Sequence, residues 1–133
     1  MTSLPLFIML CSGEHEKIQM AAMMASVGAV SDRKVHVFVS MNAILAFEKS
    51  RTTPESRYQG GPISKVMQEK GVPDALELFS QGKMLGELTM NACSMVMDVN
   101  GWDMDHLVDD LFDGMEGLTS FLSDAEKGQL ITL

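Results

Sequence analysis

Short apolar runs along the chain predict the strands of a buried sheet. Residues Leu4–Leu10 form such a run and end at Cys-Ser-Gly, and Val35–Ser40 is rich in β-branched residues, which favour strands. Glu87–Cys93 and Gln129–Leu133 are predicted as two further strands. The runs lack the alternation of apolar and polar residues seen in half-exposed sheets. Such continuous runs are typical of parallel strands covered on both faces.

Helical spacing of apolar residues appears between these strands. Glu14–Val30 is predicted as the first helix, with Ser12 as its N-cap and with acidic residues in its first turn, where they suit the positive end of the helix dipole. The other predicted helices are Asn42–Lys49 in part, Val72–Gln81 ending before Gly82, Ser94–Asn100, Met104–Phe112 capped by Asp103, and Leu118–Lys127.

The first helix carries two apolar stripes. One stripe consists of small residues that would let the helix lie close to a sheet: Ile18, Ala21, Ala22, Ala25 and Ala29. The second stripe is formed by Met20, Met23, Met24 and Val27. An apolar surface this wide predicts burial on two sides, the second against another subunit of a homo-oligomer.

Strands that alternate with helices indicate βαβ units. We therefore predict an α/β fold in which a mainly parallel sheet of about five strands forms the middle of three α/β/α layers. No repeat or linker divides the sequence, so residues 1–133 are expected to form a single domain. The glycine-rich stretch 60–65 is expected to be a mobile loop, placed where it could cover a cleft.

Composition excludes several classes of function. The net charge of −8 argues against binding of nucleic acid, because phosphates are neutralised by clustered Lys and Arg. Two cysteines exclude a disulfide scaffold. No apolar run is long enough to span a membrane, and no basic residue precedes the first run as in a signal peptide. A cytoplasmic protein with reduced thiols is the expectation.

Negative charge is concentrated in one stretch, residues 98–116, which has seven acidic residues and no Lys or Arg. Two interpretations are open: a solvated acidic face that keeps the protein in solution, or a docking surface for a basic partner. Metal and nucleotide sites are not predicted. The methionines are scattered, the three histidines are far apart, and no phosphate-binding glycine motif follows the first strand. No cofactor is expected.

Both cysteines follow predicted strands and precede predicted helices. In parallel sheets, reactive groups gather beyond the carboxyl ends of the strands. Cys93 is the stronger candidate nucleophile, because a helix N-terminus favours the thiolate form. The amides of Ser94 and Met95 would stabilise an anion there. Cys11 is a candidate second thiol, which would face the same cleft if its strand lies next to the strand of Cys93.

Residues 91–102, NACSMVMDVNGW, resemble the active-cysteine segment of the DsrE/DsrF-like family, in its "predicted peroxiredoxin" branch. Cys93, Met95, Met97, Asp98 and Gly101 fit that pattern, as does Val99. The start of the chain is also similar, with a strand followed by Ser12-Gly13 and an Ala-rich helix, and so is the end, with a helix and a last short strand. The resemblance extends over nearly the whole chain.

The resemblance implies a parallel α/β/α fold and homo-oligomers. It also implies a cytoplasmic sulfur carrier or sulfurtransferase that relays sulfane sulfur as a persulfide on Cys93. TusA-like or rhodanese-like sulfurtransferases would be the partners, and Ser12, Gly13, Ser94 and Met95 are the candidate binding residues. Two alternatives stay open: a non-catalytic oligomeric binding or regulatory module with incidental thiols, and a thiol redox enzyme that uses Cys11 as its resolving thiol.

Overall fold

A computed structural model describes residues 3–133, and its core is a five-stranded sheet in which all neighbouring strands are parallel. The order across the sheet is β4-β3-β2-β1-β5. This arrangement confirms the predicted α/β class and the mainly parallel sheet. The strands are β1 (Leu6–Leu10), β2 (Val35–Val39), β3 (Leu88–Cys93), β4 (Gly114–Glu116) and β5 (Gln129–Thr132).

Helices connect the strands and cover the sheet. The α-helices are α1 (His15–Val30), α2 (Pro54–Arg57), α3 (Pro62–Glu69), α4 (Ala75–Leu85), α5 (Ser94–Asn100) and α6 (Leu118–Ala125). Two segments are 3-10 helices, Met41–Phe47 and Met104–His106. In the described residues, no helix is long and apolar enough to cross a membrane.

One face of the sheet packs against α1 and α4. The small residues of the first apolar stripe on α1 are buried, as predicted. Glycines allow the close approach: a Cβ on Gly28 would lie 3.0 Å from Val35, and one on Gly82 would lie 3.0 Å from Leu88. The second stripe is open to solvent at Met20, Met23 and Val27 in the single chain.

On the other face, α6 packs its aromatic side chain against the rings of the sheet. Phe121 of α6 is fully buried, and its ring contacts the rings of Phe7, His36 and Phe38 at centroid distances of 5.9, 5.3 and 4.9 Å. Asn91 of β3 is in register with Phe38 and lies on the same face. Because side chains alternate along a strand, Cys93, two residues after Asn91, also lies on this face. The short helix α6 thus packs on the face to which Cys93 belongs.

The prediction of a helix over Met104–Phe112 is wrong beyond the first turn. Asp103 does cap the segment, but the helix ends at His106. Backbone groups then pair with another segment: Val108 N donates to Phe47 O over 2.8 Å, and Lys49 N donates to His106 O over 2.8 Å. Like-charged aspartates four residues apart also disfavour a longer helix here. The short strand β4 that follows was not predicted.

The prediction of a mobile loop at residues 60–65 is also wrong, because α3 begins at Pro62. The carboxylate of Glu16 accepts hydrogen bonds from Gly61 N (3.2 Å) and Ser64 N (3.1 Å), which fixes the start of this helix. Hydrogen bonds from its own backbone amide, and then from those of Ser64 and Gly61, lower the pKa of Glu16. These residues line a surface beside α1 and not the cavity at Cys93.

Other helix bounds also differ from the prediction. α4 begins at Ala75, after its N-cap Asp74, instead of at Val72, and α6 ends at Ala125 instead of at Lys127. α1 begins one residue later, with Glu14 at its N-cap, while Ser12 Oγ accepts a hydrogen bond from Glu14 N. α4 continues through Gly82 to Leu85, because this glycine makes room for Leu88 instead of ending the helix. The segment after β2 is a 3-10 helix, Met41–Phe47, in place of the predicted α-helical start.

Candidate functional site

The polypeptide passes from β3 into α5 without a loop, and Cys93 is the residue at which it does so. Cys93 is the last residue of β3 and the N-cap of α5, with an extended backbone at φ −62° and ψ 119°. Its Cα lies in register with that of Glu116 on β4. The residue is only 4% exposed. The fold therefore holds this thiol at the carboxyl edge of the sheet, facing the start of a helix.

A cavity of about 300 Å³ lies at this edge and is lined by both cysteines. Its walls are mainly apolar, with Met9 and Phe38 from the strands and Leu118 from α6. The complete set of lining residues is Met9, Cys11, Phe38, Ser40, Met41, Cys93, Ser94, Met95 and Leu118. Two thiols that are distant in sequence thus share one small apolar space.

The two thiols line one cavity although their strands are not neighbours. β2 lies between β1 and β3, so the adjacency on which the sequence argument depended is absent. Cys11 is held instead by its backbone: its N donates to Leu133 O over 2.8 Å, and its O accepts from Ala43 N over 3.1 Å. Backbone hydrogen bonds with Leu133 and with Ala43 of the 3-10 helix thereby fix the position of Cys11.

The surroundings of Cys11 make its thiol less acidic than a free thiol. Burial raises the pKa of the Cys11 thiol, and negative charge on Cys93 raises it further. Cys11 therefore stays protonated at neutral pH, and a protonated thiol is a poor nucleophile.

We expect the alkylation of Cys11 to reveal this raised pKa. In the native protein, the reaction rate of Cys11 with iodoacetamide should rise with a midpoint above the value of about 8.5 for a free thiol. In a Cys93→Ser variant the midpoint should fall, because the neighbouring charge is gone, yet stay above that of the urea-unfolded chain. Peptide mass spectrometry across a pH series measures both. A midpoint equal in folded and unfolded protein would contradict the expectation.

The other predicted binding residues divide into two groups. Ser94 and Met95 line the cavity. Ser12 and Gly13 lie beside it in the β1–α1 connection, where Gly13 O accepts from Gln59 N and a Cβ on Gly13 would lie 3.2 Å from Asn42. Their contacts fix the loop that carries Cys11.

The cavity also includes residues that the sequence did not indicate, namely Met9, Phe38, Met41 and Leu118. Met9 and Phe38 belong to predicted strands, but only the register of the sheet shows that they face the thiols. Met41 adopts a positive φ of 49°, which is uncommon for a residue other than glycine. No sequence signal marked that conformation.

The acidic stretch 98–116 is partly paired within the chain. Lys49 Nζ lies 2.8 Å from an oxygen of Asp109, and this hydrogen bond raises the pKa of Lys49. Lys83 lies 2.6 Å from Asp113, whose carboxylate also accepts from Met90 N. His106 Nδ1 lies 3.1 Å from Asp103 Oδ1. These contacts anchor the stretch to the sheet and to the 3-10 helix.

Comparison with protein families gives a match over residues 53–133 to the model of the DsrE/DsrF/DrsH-like family. The matched part contains Cys93 and Leu118 of the cavity. This chain belongs to the DsrE/DsrF/DrsH-like family. Within this DsrE-like chain, Cys93 lies inside the matched residues and Cys11 lies outside them.

A solved structure extends the likeness to the rest of the fold. The protein of unknown function MTH1491 from Methanobacterium thermoautotrophicum superposes with a TM-score of 0.63 over 98% of this chain and 100% of its own, at 9% sequence identity. At that identity the likeness shows a shared fold and nothing about activity. None of the curated proteins matches this chain.

Proposed function

We propose that this DsrE-like protein is a sulfur carrier or sulfurtransferase that holds sulfane sulfur as a persulfide on Cys93. The observation that carries the proposal is the shared cavity: a buried thiol at a helix start, with a second thiol and apolar walls around it. Membership of the DsrE/DsrF/DrsH-like family supports it, since the match includes Cys93. Reduced thiols fit a cytoplasmic setting.

The transfer needs no external redox reagent. The Cys93 thiolate attacks the outer sulfur of a donor persulfide, R–S–SH, and forms a new S–S bond as the donor's own S–S bond breaks. The donor leaves as the thiolate R–S⁻, and the transferred sulfur keeps its proton in Cys93–S–SH. An acceptor thiolate then attacks the same outer sulfur and releases the Cys93 thiolate.

In this proposal, the raised pKa of Cys11 protects the persulfide on Cys93 from attack by Cys11. If a Cys11 thiolate attacked the inner sulfur of the Cys93 persulfide, a disulfide would form and the outer sulfur would leave as HS⁻. The raised pKa of Cys11 keeps it as a thiol and suppresses that reaction. The carried sulfur is then passed to an acceptor and is not lost as sulfide.

The rim of the cavity offers a surface for a partner protein. Met41, Met95 and Leu118 line the cavity and are also about half exposed. Flexible methionines adapt to different apolar partners. We propose a TusA-like or rhodanese-like sulfurtransferase as the partner, whose persulfide would reach Cys93 through this rim.

Intact mass spectrometry after exposure to inorganic polysulfide tests the proposal. We expect the reduced protein and the Cys11→Ser variant to gain sulfur atoms, and the Cys93→Ser variant to gain none. Dithiothreitol should remove the added sulfur. A gain that persists in Cys93→Ser, or no gain in any form, would sink the sulfur-carrier proposal. A Cys11–Cys93 disulfide formed without sulfur gain would instead favour a thiol redox enzyme.

We further propose that the protein acts as a homo-oligomer that covers the second stripe of α1. Val27 of that stripe is 66% exposed in the single chain, and Met20 and Met23 are about half exposed. The stripe adjoins a concave surface that includes Leu6 and Ile131, next to the edge strand β5. A second copy would remove this apolar surface from water.

A further inference from the structure

A cluster of three side chains from distant parts of the chain lies on the α6 face of the sheet. His36 comes from β2, Glu116 from the end of β4 and Asp124 from the last turn of α6. One nitrogen or oxygen atom from each lies within 4.8 Å of the other two. His36 Nε2 and Glu116 Oε1 are 2.9 Å apart. No metal ligand was predicted among these residues from the sequence.

The cluster is sheltered and polar. The side chain of His36 is 17% exposed and that of Glu116 is 9% exposed. The His36 ring is packed between aromatic rings, with Phe7 at 5.7 Å and Phe121 at 5.3 Å between centroids. Asn91 donates to Glu116 Oε1 over 3.4 Å. The surroundings thus fix an imidazole nitrogen and a carboxylate oxygen in place.

Charge in the cluster favours a cation. Two carboxylates and one imidazole converge where water is partly excluded, so repulsion between the carboxylates is weakly screened. A cavity of about 330 Å³ opens beside His36 and Asp124, and Lys34 and Lys127 line it. The ion pairs in the described part of the chain join neither lysine to these carboxylates.

We propose that His36, Glu116 and Asp124 bind a divalent transition-metal ion, with Zn²⁺ as the best match. One imidazole nitrogen and two carboxylate oxygens are ligands that Zn²⁺ accepts at about 2.0–2.2 Å. Tetrahedral bonds of that length place ligand atoms about 3.3 Å apart, which small side-chain rotations would reach from the observed spacing. The neighbouring cavity leaves room for a water molecule as the fourth ligand.

The proposed ion would bind side chains from three separate elements, β2, β4 and α6. β4 is a three-residue strand at the edge of the sheet, and α6 is the short helix that covers Cys93's face. Binding to His36 on β2 would tie both to the centre of the sheet. Asn91, which hydrogen-bonds Glu116, is a positioning residue for this site.

Calorimetric titration with Zn²⁺ tests the site in the full-length protein. Because Cys93 lies in register with Glu116 and thiolates also bind zinc, the titration is repeated in a Cys11→Ser/Cys93→Ser variant. We expect one ion per chain in both proteins. His36→Gln, Glu116→Gln and Asp124→Asn should each weaken binding at least about tenfold, and Asn91→Ala should weaken it about 10–100-fold.

His106→Gln is the matched control, since His106 forms a similar but exposed pair with Asp103. It should leave the affinity unchanged. Co²⁺ provides a second readout, because its visible absorption reports bound nitrogen and oxygen ligands without requiring every variant to be equally stable. Absence of binding, binding lost in the thiol variant, or binding lost in His106→Gln would each overturn the proposal. None of these outcomes depends on whether Cys93 carries sulfur.

Discussion

Phe121→Ala is expected to lower the free energy of unfolding by about 3–5 kcal/mol, as for other buried aromatic residues. Phe121 is fully buried, and its ring stacks on Phe38 at 4.9 Å and meets His36 edge-on at 5.3 Å. Alanine at this position would remove these ring contacts and leave a cavity beneath α6. Urea unfolding followed by circular dichroism measures the change.

The neighbouring residue Leu122 provides the control for this prediction. Its side chain is 41% exposed on the same helix, so Leu122→Ala should cost less than about 1 kcal/mol. Because Phe38 also lines the thiol cavity, Phe121→Ala should make Cys93 react faster with alkylating reagents. Equal losses of stability in the two variants would show that α6 does not hold this face together.

Val27→Asp is expected to convert an oligomer into a monomer. Val27 lies in the exposed stripe of α1, and burial of one such side chain contributes about 1.5–3 kcal/mol to an interface. An aspartate there would lose that gain and would also place an unpaired charge in the contact, which costs more. Light scattering coupled to gel filtration at micromolar concentration reports the mass of each form.

Val99→Asp is the matched control for the oligomer. Val99 is 76% exposed on α5, far from the stripe in sequence, and its replacement introduces the same charge. It should leave the oligomer intact. A wild-type protein that is already monomeric would refute the proposed contact through α1, and so would a Val27→Asp variant with unchanged mass.

Four of the five strands, all except β4, could be predicted because each depends on local composition. β1, β2 and β3 are short β-branched or apolar runs, and their observed bounds lie within two residues of those expected. The buried stripe of α1 was predictable for the same reason, since helical spacing alone determines which residues share a face. These features require no knowledge of which segments meet in space.

Other features depend on contacts between distant segments. The helix α3 is fixed by a carboxylate on α1, Glu16, and the missing helix after His106 reflects pairing with Phe47 and Lys49. Both outcomes were invisible in the local sequence. The expected position of Cys93 at the strand-to-helix junction was local and could be predicted, whereas the cavity that it shares with Cys11 required the strand order.

The order of the strands also has a consequence for biosynthesis. β1, near the start of the chain, hydrogen-bonds along one edge with β5, whose residues 129–132 are translated after all the other strands. Until those residues leave the ribosome, one edge of β1 is an unpaired template for other extended chains. Contacts between such distant segments also slow folding. A nascent chain of this protein therefore passes through a period in which chaperone protection of its first strand matters most.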